Sequence, residues 1–488
     1  MKTSLVRELT LYRYRYFIGY ALFIVFVGAL LLVDIGSIPN GINDREMQSV
    51  VASNSLNFRD LKPADIVNLP YHVLQKASIS LFGLSQLSIR LPSLILAFLA
   101  AAALAITLNQ WFRRNIAVLA LIITASSVPF ISMGRTGVAS VFYMLLLLII
   151  LMSAVKLTSK SRGTFFWKLF AAISALLLLY MPLGAYAVFA LLVAGAFHPH
   201  VRYQIKHTKL WQIGIFATLT LISLLPLIIA GIHDINIIEY LLGVDALKDK
   251  LTLAGLGGSL LAILRSLFLF YDPEITDTIT PFLNLTTTLL IVIGLVRTLL
   301  DRHAARSYLI LIWLAVSIPL LILNPTHFAL LFVPCIILLA IGLEFLLREW
   351  YSVFPRNPYA RIGALVPLSL IVVGLLAISI TRYFYAYYYS DTSSYYHAGL
   401  TSIRTVLKPH VPTRLIVPAE HTAFYDILRK QYPQLTIGTS SGTPEATRQP
   451  ETIALASSNY QTTALPRTII TSHLDHGEVL LRVYSRTQ

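Results

Sequence analysis

The chain has 488 residues, of which 56% are hydrophobic and only 12% charged, and its mean hydropathy is +0.71. These values exclude an ordinary soluble domain and predict an α-helical polytopic membrane protein. The net charge of +15 would suggest a nucleic-acid partner in a soluble chain, but Lys and Arg gather here in short loops beside apolar runs, so no nucleic acid is expected.

The first apolar run follows a basic segment, Met1–Tyr16, and reaches about Gly36. It is longer than a signal-peptide core and lacks a small-residue cleavage pattern, so we interpret it as a retained span. Apolar runs of membrane-crossing length predict about eleven spans, near residues 16–36, 91–111, 115–133, 137–155, 165–181, 183–198, 211–232, 279–299, 307–324, 326–346 and 362–383.

The fifth and sixth of these spans form one continuous apolar stretch. Pro182 and Gly184 supply a break at which the chain can turn back. A single kinked helix is the alternative, and it would reduce the count to ten.

The loop charges test this arrangement, because cytoplasmic loops carry an excess of Lys and Arg. If the N-terminus is cytoplasmic, every inner loop is basic. The Lys and Arg residues of the five successive inner loops are Arg113 and Arg114, then Lys156, Lys160, Arg162 and Lys168, then Arg202, Lys206 and Lys209, then Arg297, Arg302 and Arg306, then Arg348, Arg356 and Arg361. Two long loops, 37–90 and 233–278, then lie outside, as does everything after about Tyr383. The predicted protein is therefore multi-pass, with residues 1–383 as its transmembrane domain.

Residues 384–488 differ in composition and predict a small extracytoplasmic α/β domain. Helical patterns cover 397–407 and 421–431, and strand patterns cover 413–417, 452–456, 468–471 and 479–483. Residues 439–447 are typical of a loop.

Acidic residues stand near the start of the first outer loop, in the segment Asn43-Asp44-Arg45-Glu46. A carboxylate beside a membrane-facing cavity can act as a general base on an incoming hydroxyl, or hold a divalent cation that neutralises a phosphate. The alternative is a solvated loop whose acids pair with neighbouring Arg and Lys residues. Asp34, at the end of the first span, is a further candidate.

Several short motifs occur in order before and after these acids, over residues 1 to about 200. They are Pro39 and Gly41 before the acids, Leu69-Pro70-Tyr71, Leu81-Phe82-Gly83, Arg90-Leu91-Pro92-Ser93, Ser127-Val128-Pro129-Phe130 and Gly134-Arg135. Together they resemble the GT-C glycosyltransferases, particularly the protein O-mannosyltransferases and aminoarabinose transferases. The family carries adjacent acids in its first loop, whereas here Asp44 and Glu46 flank Arg45. Either Asp44 is the catalytic carboxylate, or Glu46 has taken the role, or the activity has been lost.

The resemblance implies an inverting enzyme that moves a sugar from a polyprenyl phosphate to an acceptor hydroxyl on the extracytoplasmic face. Its partners would be the lipid-linked sugar, a protein, lipid or glycan acceptor, and membrane lipids. The lipid phosphate is the leaving group and needs preorganised cations. The outer-face candidates for this role are Arg135 first, then Arg265, His327, His72 and Arg90. For Arg135 the alternative is a side chain that reaches the membrane interface, and for Arg90 it is a structural turn.

The second long outer loop carries seven acidic residues, but their spacing shows no loop signature of a hard-cation site, so no metal ligands are assigned. A divalent cation is left open as a cofactor. An amphipathic helix over Gly258–Tyr271 would place Arg265 at lipid headgroups.

The sequence therefore predicts a hexosyl- or pentosyltransferase of the cell envelope, and the compact loops favour a prokaryotic plasma membrane. A transporter or flippase for lipid-linked sugars is the alternative, although no matching inverted halves are evident. A second alternative is an inactive membrane relative of these enzymes.

Overall fold

A computed structural model gives the fold of the chain. It describes residues 14–158, 163–244, 253–268, 283–302, 304–324, 327–353, 358–389, 396–397, 399–408, 410–440, 451–458, 460, 462, 465–471 and 479–484.

Long apolar helices make up most of the molecule. They are α1 (Arg15–Leu32), α4 (Gln86–Trp111), the bent pair α5 (Arg114–Ala125) and α6 (Val128–Arg135), α7 (Ser140–Thr158), α8 (Thr164–Leu178), α9 (Gly184–Phe197), α11 (Leu210–His233), α14 (Leu285–Leu300), α15 (Ala305–Leu323), α16 (Ala329–Val353) and α17 (Pro358–Tyr389). Every predicted span overlaps one of these helices or the bent pair. Three shorter helices join them, namely α10 (Pro199–Lys206), α12 (Ile235–Leu242) and α13 (Leu253–Phe268).

These helices are those of a multi-pass membrane protein. Within the described ranges, five helices are long and apolar enough to cross a membrane, and seven segments qualify if each of the two bent helix pairs counts as one span. The count of eleven crossings, and the orientation of the termini, stay predictions.

Close backbone contacts explain two of the helix arrangements. A Cβ atom on Gly294 of α14 would lie 1.9 Å from the carbonyl oxygen of Leu338 in α16, so only glycine allows these helices to pack this closely. A Cβ on Gly184 would likewise lie 1.9 Å from the carbonyl oxygen of Leu178. The chain therefore turns sharply between α8 and α9, which are two helices rather than one kinked helix.

The first outer loop is structured throughout. It forms α2 (Asp44–Ser55), a short 3-10 helix (Pro63–Ile66) and α3 (Leu69–Phe82), and α4 begins before the predicted span does. Asn43 starts α2 with a capping box: its side chain accepts a hydrogen bond from the Glu46 amide at 2.7 Å, and the Glu46 carboxylate accepts one from the Asn43 amide at 3.2 Å.

The C-terminal part forms a five-stranded mixed sheet, so the prediction of a small α/β domain is confirmed. Its helices are α18 (Gly399–Val406) and α19 (Thr422–Asp426), with 3-10 turns at Ala419–His421, Ile427–Lys430 and Ala456–Ser458. The strands are β1 (Thr413–Val417), β2 (Leu435–Thr439), β3 (Glu451–Leu455), β4 (Thr468–Thr471) and β5 (Val479–Tyr484), in the order β2-β1-β3-β5-β4. β1 pairs in parallel with β2 and β3, and β5 pairs antiparallel with β3 and β4.

The sheet domain and the first outer loop share one hydrophobic core. Ile42, Met47 and Val50 from the loop pack with buried residues of the domain such as Leu415 and Phe424. Ile42 and His397 also form an antiparallel backbone bridge. The start of α2 is therefore held between the helical bundle and the C-terminal domain.

Candidate functional site

The first turn of α2 sends three consecutive side chains in three directions. Asp44 contacts the C-terminal domain, Arg45 lines a cavity beside the bundle, and Glu46 is buried. Successive residues of a helix are about 100° apart around its axis, so the sequence Asp-Arg-Glu places each charge in a different environment.

Glu46 forms a buried ion pair with Arg90 of α4, and both side chains are 0% exposed. The Arg90 Nε and terminal nitrogen donate to the two Glu46 carboxylate oxygens at 2.9 and 3.1 Å. The Gly137 amide also donates to Glu46, at 2.7 Å. Arg90 further donates to the carbonyl oxygen of Gly41 at 2.6 Å. These bonds tie α2, α4 and the chain before α7 together around one charge pair.

Arg135, at the end of α6, is also fully buried. Its guanidinium donates to the carbonyl oxygens of Leu30, Val33 and Ile38 at 2.9, 2.7 and 2.6 Å. It lies over the ring of Phe384, 5.2 Å from the ring centroid. Arg135 therefore holds the end of α1 and the start of the first outer loop, and its predicted contact with a lipid phosphate stays a prediction.

Asp44 lies between two histidines that sequence reasoning did not select. Its Oδ1 atom is 3.0 Å from His421 Nε2 and 3.1 Å from His397 Nε2. The Asp44 side chain is 64% exposed, whereas that of His421 is only 10% exposed. One ligand atom from each residue lies within 4.8 Å of the others, so this trio can hold a metal ion. Carboxylate and imidazole ligands together suit zinc and related divalent metals.

A cavity of about 640 Å³, called here the outer-loop cavity, opens beside α2. Its polar lining comes from α2, the start of α3 and the residue before it, α7, α12 and the chain between α15 and α16. It comprises Arg45, Gln48, Ser49, Asn68, His72, Ser140, Tyr143, Tyr240, Asn324 and His327. Arg45, Gln48, Ser49 and Ala52 recur at helical spacing and form one face of α2. Among the described lining residues there is no carboxylate.

Two histidines of the outer-loop cavity are held in the neutral form. Burial lowers the pKa of His72 to about 4, and a hydrogen bond with the Ser49 backbone and the nearby Asp65 only partly oppose this. Burial also lowers the pKa of His327 to about 4, and the positive charge of Arg45 adds to the effect. Among the described lining residues, Arg45 therefore carries the fixed positive charge at neutral pH.

Arg265 lies on α13, and its side chain is exposed. The predicted amphipathic helix is thus helical up to Phe268, while the remainder of the predicted range falls outside the described residues. Arg265 does not line the outer-loop cavity, and its predicted contact with headgroups stays a prediction.

Acidification is expected to destabilise the protein through His72. The unfolded chain binds a proton on this residue near pH 6.5, whereas the folded protein binds it only near pH 4. The contribution of neutral His72 to the free energy of unfolding is therefore fully present above pH 6.5 and decreases as the pH falls towards 4. Thermal unfolding measured from pH 7.5 to 5 should show a shallower decline for His72→Gln than for the wild type. Equal declines would contradict this origin.

Residues 70–228 match the family model described as dolichyl-phosphate-mannose-protein mannosyltransferase. No curated protein sequence matches the chain. The oligosaccharyltransferase of Archaeoglobus fulgidus, solved with a tethered acceptor peptide, superposes with a TM-score of 0.51 at 13% identity over 90% of this chain and 67% of that one. ArnT from Cupriavidus metallidurans in the apo state superposes with a TM-score of 0.51 at 10% identity, over 96% of this chain and 98% of that one.

The chain has a GT-C-like fold. The resemblance predicted from the motifs is therefore confirmed at the level of fold. The matched range 70–228 begins at α3 and includes α4 to α9, so this GT-C-like part supplies His72, Tyr143 and other walls of the outer-loop cavity.

Several site residues lay beyond sequence reasoning. Arg45 could have been found, because it stands between Asp44 and Glu46 in the segment that sequence analysis singled out. His397 and His421 carry no local signal, since they meet Asp44 across sequence separations of 353 and 377 residues.

Proposed function

We propose that the chain is an integral-membrane glycosyltransferase that moves a sugar from a polyprenyl-phosphate donor to an acceptor hydroxyl. The observation that carries this proposal is the outer-loop cavity, which presents Arg45 beside neutral imidazole and amide groups. A wall of this cavity comes from the segment that matches the family named for dolichyl-phosphate-mannose transfer. A phosphate headgroup and one sugar can be accommodated in about 640 Å³.

The proposed reaction places the leaving phosphate against Arg45. The acceptor oxygen bonds to the anomeric carbon as the bond from this carbon to the phosphate oxygen breaks. The phosphate leaves with the electron pair, and the configuration inverts. The Arg45 guanidinium stabilises this growing charge, and His327 can donate one hydrogen bond as a neutral imidazole. Arg90 and Arg135 act in this scheme as positioning residues, because their donors already bind protein oxygens.

Asp44 is the proposed acceptor of the proton that the hydroxyl loses. Glu46 is fully buried and already accepts hydrogen bonds from Arg90 and from two backbone amides, so an incoming hydroxyl does not reach it in this arrangement. Asp44 is mostly exposed and immediately precedes Arg45 in α2, although its own side chain is not among the described lining of the outer-loop cavity. His397 and His421 fix the orientation of its carboxylate, and the same trio would hold a divalent cation if the reaction uses one.

The proposed location is a prokaryotic plasma membrane, with a cytoplasmic N-terminus and the C-terminal domain on the opposite side. This orientation places the outer-loop cavity on the extracytoplasmic face. Proteins, lipids and glycans remain open as acceptors.

The proposal is tested by measuring the transfer of radiolabelled sugar from polyprenyl-phosphate donors by the purified chain in detergent. We expect transfer by the wild type, and a decrease of roughly tenfold to a hundredfold in Arg45→Ala, as for loss of a hydrogen bond to a charged group. Arg59→Ala is the matched control, because it removes an exposed arginine from the same outer segment. Equal activity in both variants would contradict the phosphate contact.

A non-transferring relative, either a carrier for lipid-linked sugars or an inactive enzyme, is the second candidate. It is favoured by the lack of carboxylates among the described lining residues of the outer-loop cavity. Donor binding that depends on Arg45, without turnover in any acceptor mixture, would support this candidate instead.

A further inference from the structure

A second and larger cavity lies at the other end of the bundle. It encloses about 1060 Å³ between α5, α14, α15, α16 and α17, and is called here the arginine cavity. Leu330 of α16 lines the outer-loop cavity and Arg348 of the same helix lines the arginine cavity. At 1.5 Å per residue, these positions are roughly 27 Å apart along the helix, close to the thickness of a bilayer's hydrocarbon core. The two cavities therefore lie towards opposite ends of α16, at a separation that fits the two interfaces of a bilayer.

The charge of the arginine cavity is unbalanced. Four arginines and two carboxylates line it, namely Arg113, Arg297, Arg306, Arg348, Asp301 and Glu344. Arg306 pairs with Glu344 at 3.0 Å, and Arg297 makes a longer contact with Asp301 at 3.7 Å. Arg113 and Arg348 have no carboxylate partner within the described part of the chain. Two guanidinium groups are thus available to an anion.

The walls of the same cavity are apolar. Ile116 and Leu119 of α5, Ile341 of α16 and Val372 of α17 line it next to the arginines. A small hydrated anion gains nothing from such walls, whereas a lipid would place its phosphate on the guanidinium groups and its acyl chains against the aliphatic side chains.

We propose that the arginine cavity binds the headgroup of an anionic phospholipid, with Arg113 and Arg348 contacting its phosphate. This site is separate from the outer-loop cavity and does not depend on the proposed function. The bound lipid would link five helices and neutralise arginines that otherwise repel one another.

Thermal unfolding of the full chain, purified and delipidated in detergent, tests the proposal with three probes. These are phosphatidylglycerol, phosphatidylcholine with the same acyl chains, and inorganic phosphate. We expect phosphatidylglycerol alone to raise the unfolding temperature, and native mass spectrometry to detect it bound. In the double variant Arg113→Gln/Arg348→Gln, the apparent affinity for phosphatidylglycerol should weaken roughly thirtyfold, about fivefold for each arginine.

The control is Arg59→Gln/Arg404→Gln, which removes the same charge from two exposed positions outside the cavity. It should retain the full response to phosphatidylglycerol. Equal stabilisation by phosphatidylcholine, equal stabilisation by inorganic phosphate, or an unchanged response in Arg113→Gln/Arg348→Gln would each overturn the proposal.

Discussion

Replacing Glu46 with alanine is expected to destabilise the folded protein by roughly 3–5 kcal/mol, because it leaves Arg90 as an uncompensated buried charge. Both members of this pair are fully buried, and Glu46 also accepts the Gly137 amide hydrogen bond. Thermal unfolding in detergent should therefore shift to a markedly lower temperature, or the variant should fail to accumulate.

Asp44→Ala is the matched control for this prediction, since it removes a carboxylate from the same helix turn at an exposed position. Its unfolding temperature should change little, as for other exposed ion pairs. The double variant Glu46→Leu/Arg90→Met should regain only part of the loss, because Arg90 also donates to the carbonyl oxygens of Ile35, Pro39 and Gly41. Similar unfolding temperatures for Glu46→Ala and Asp44→Ala would contradict a structural role for the buried pair.

Asp44→Asn is expected to lower the rate of sugar transfer by roughly 10²–10⁴-fold, the range for loss of a general base. The amide keeps the size of the side chain and an oxygen for the histidines, so folding should be retained. The measurement is kcat with a polyprenyl-phosphate donor at saturation, accompanied by an unfolding curve that shows an intact protein.

Asp60→Asn controls for the loss of one negative charge from the outer segment, because Asp60 is exposed and follows α2 in the same loop. It should transfer sugar at the wild-type rate. Unchanged transfer in Asp44→Asn would remove Asp44 from the mechanism. A chelator that reduces wild-type transfer to the level of Asp44→Asn, with recovery on adding zinc, would show that the carboxylate acts through a metal.

The parts of this fold that sequence alone predicts are those with a local physical cause. A run of apolar residues specifies a helix by its length, so the predicted spans overlap helices. Strands β1 and β4 were predicted with the observed bounds from alternating and β-branched residues. Strand β2, Leu435–Thr439, was missed, because Gly438 and two threonines make its five residues resemble the loop that follows.

No local sequence feature predicts the environment of Asp44 or that of Glu46. Asp44 and Glu46 are both carboxylic acids and lie two positions apart, yet Asp44 is solvated between histidines and Glu46 is buried against Arg90. The Arg90 contact spans 44 residues. A sequence pattern identifies the segment, but long-range packing decides which carboxylate is exposed and which is buried.

The first outer loop and the sheet domain share one core, so the site is complete only after both segments have been synthesised. Ile42, Met47 and Val50 emerge from the ribosome long before β1 and the helix after it. Domains assemble as their residues become available, so the apolar face of α2 remains uncovered until the sheet domain has been made. His421 can meet Asp44 only once the sheet domain has been made, and a nascent chain therefore holds an unfinished site until that domain has folded.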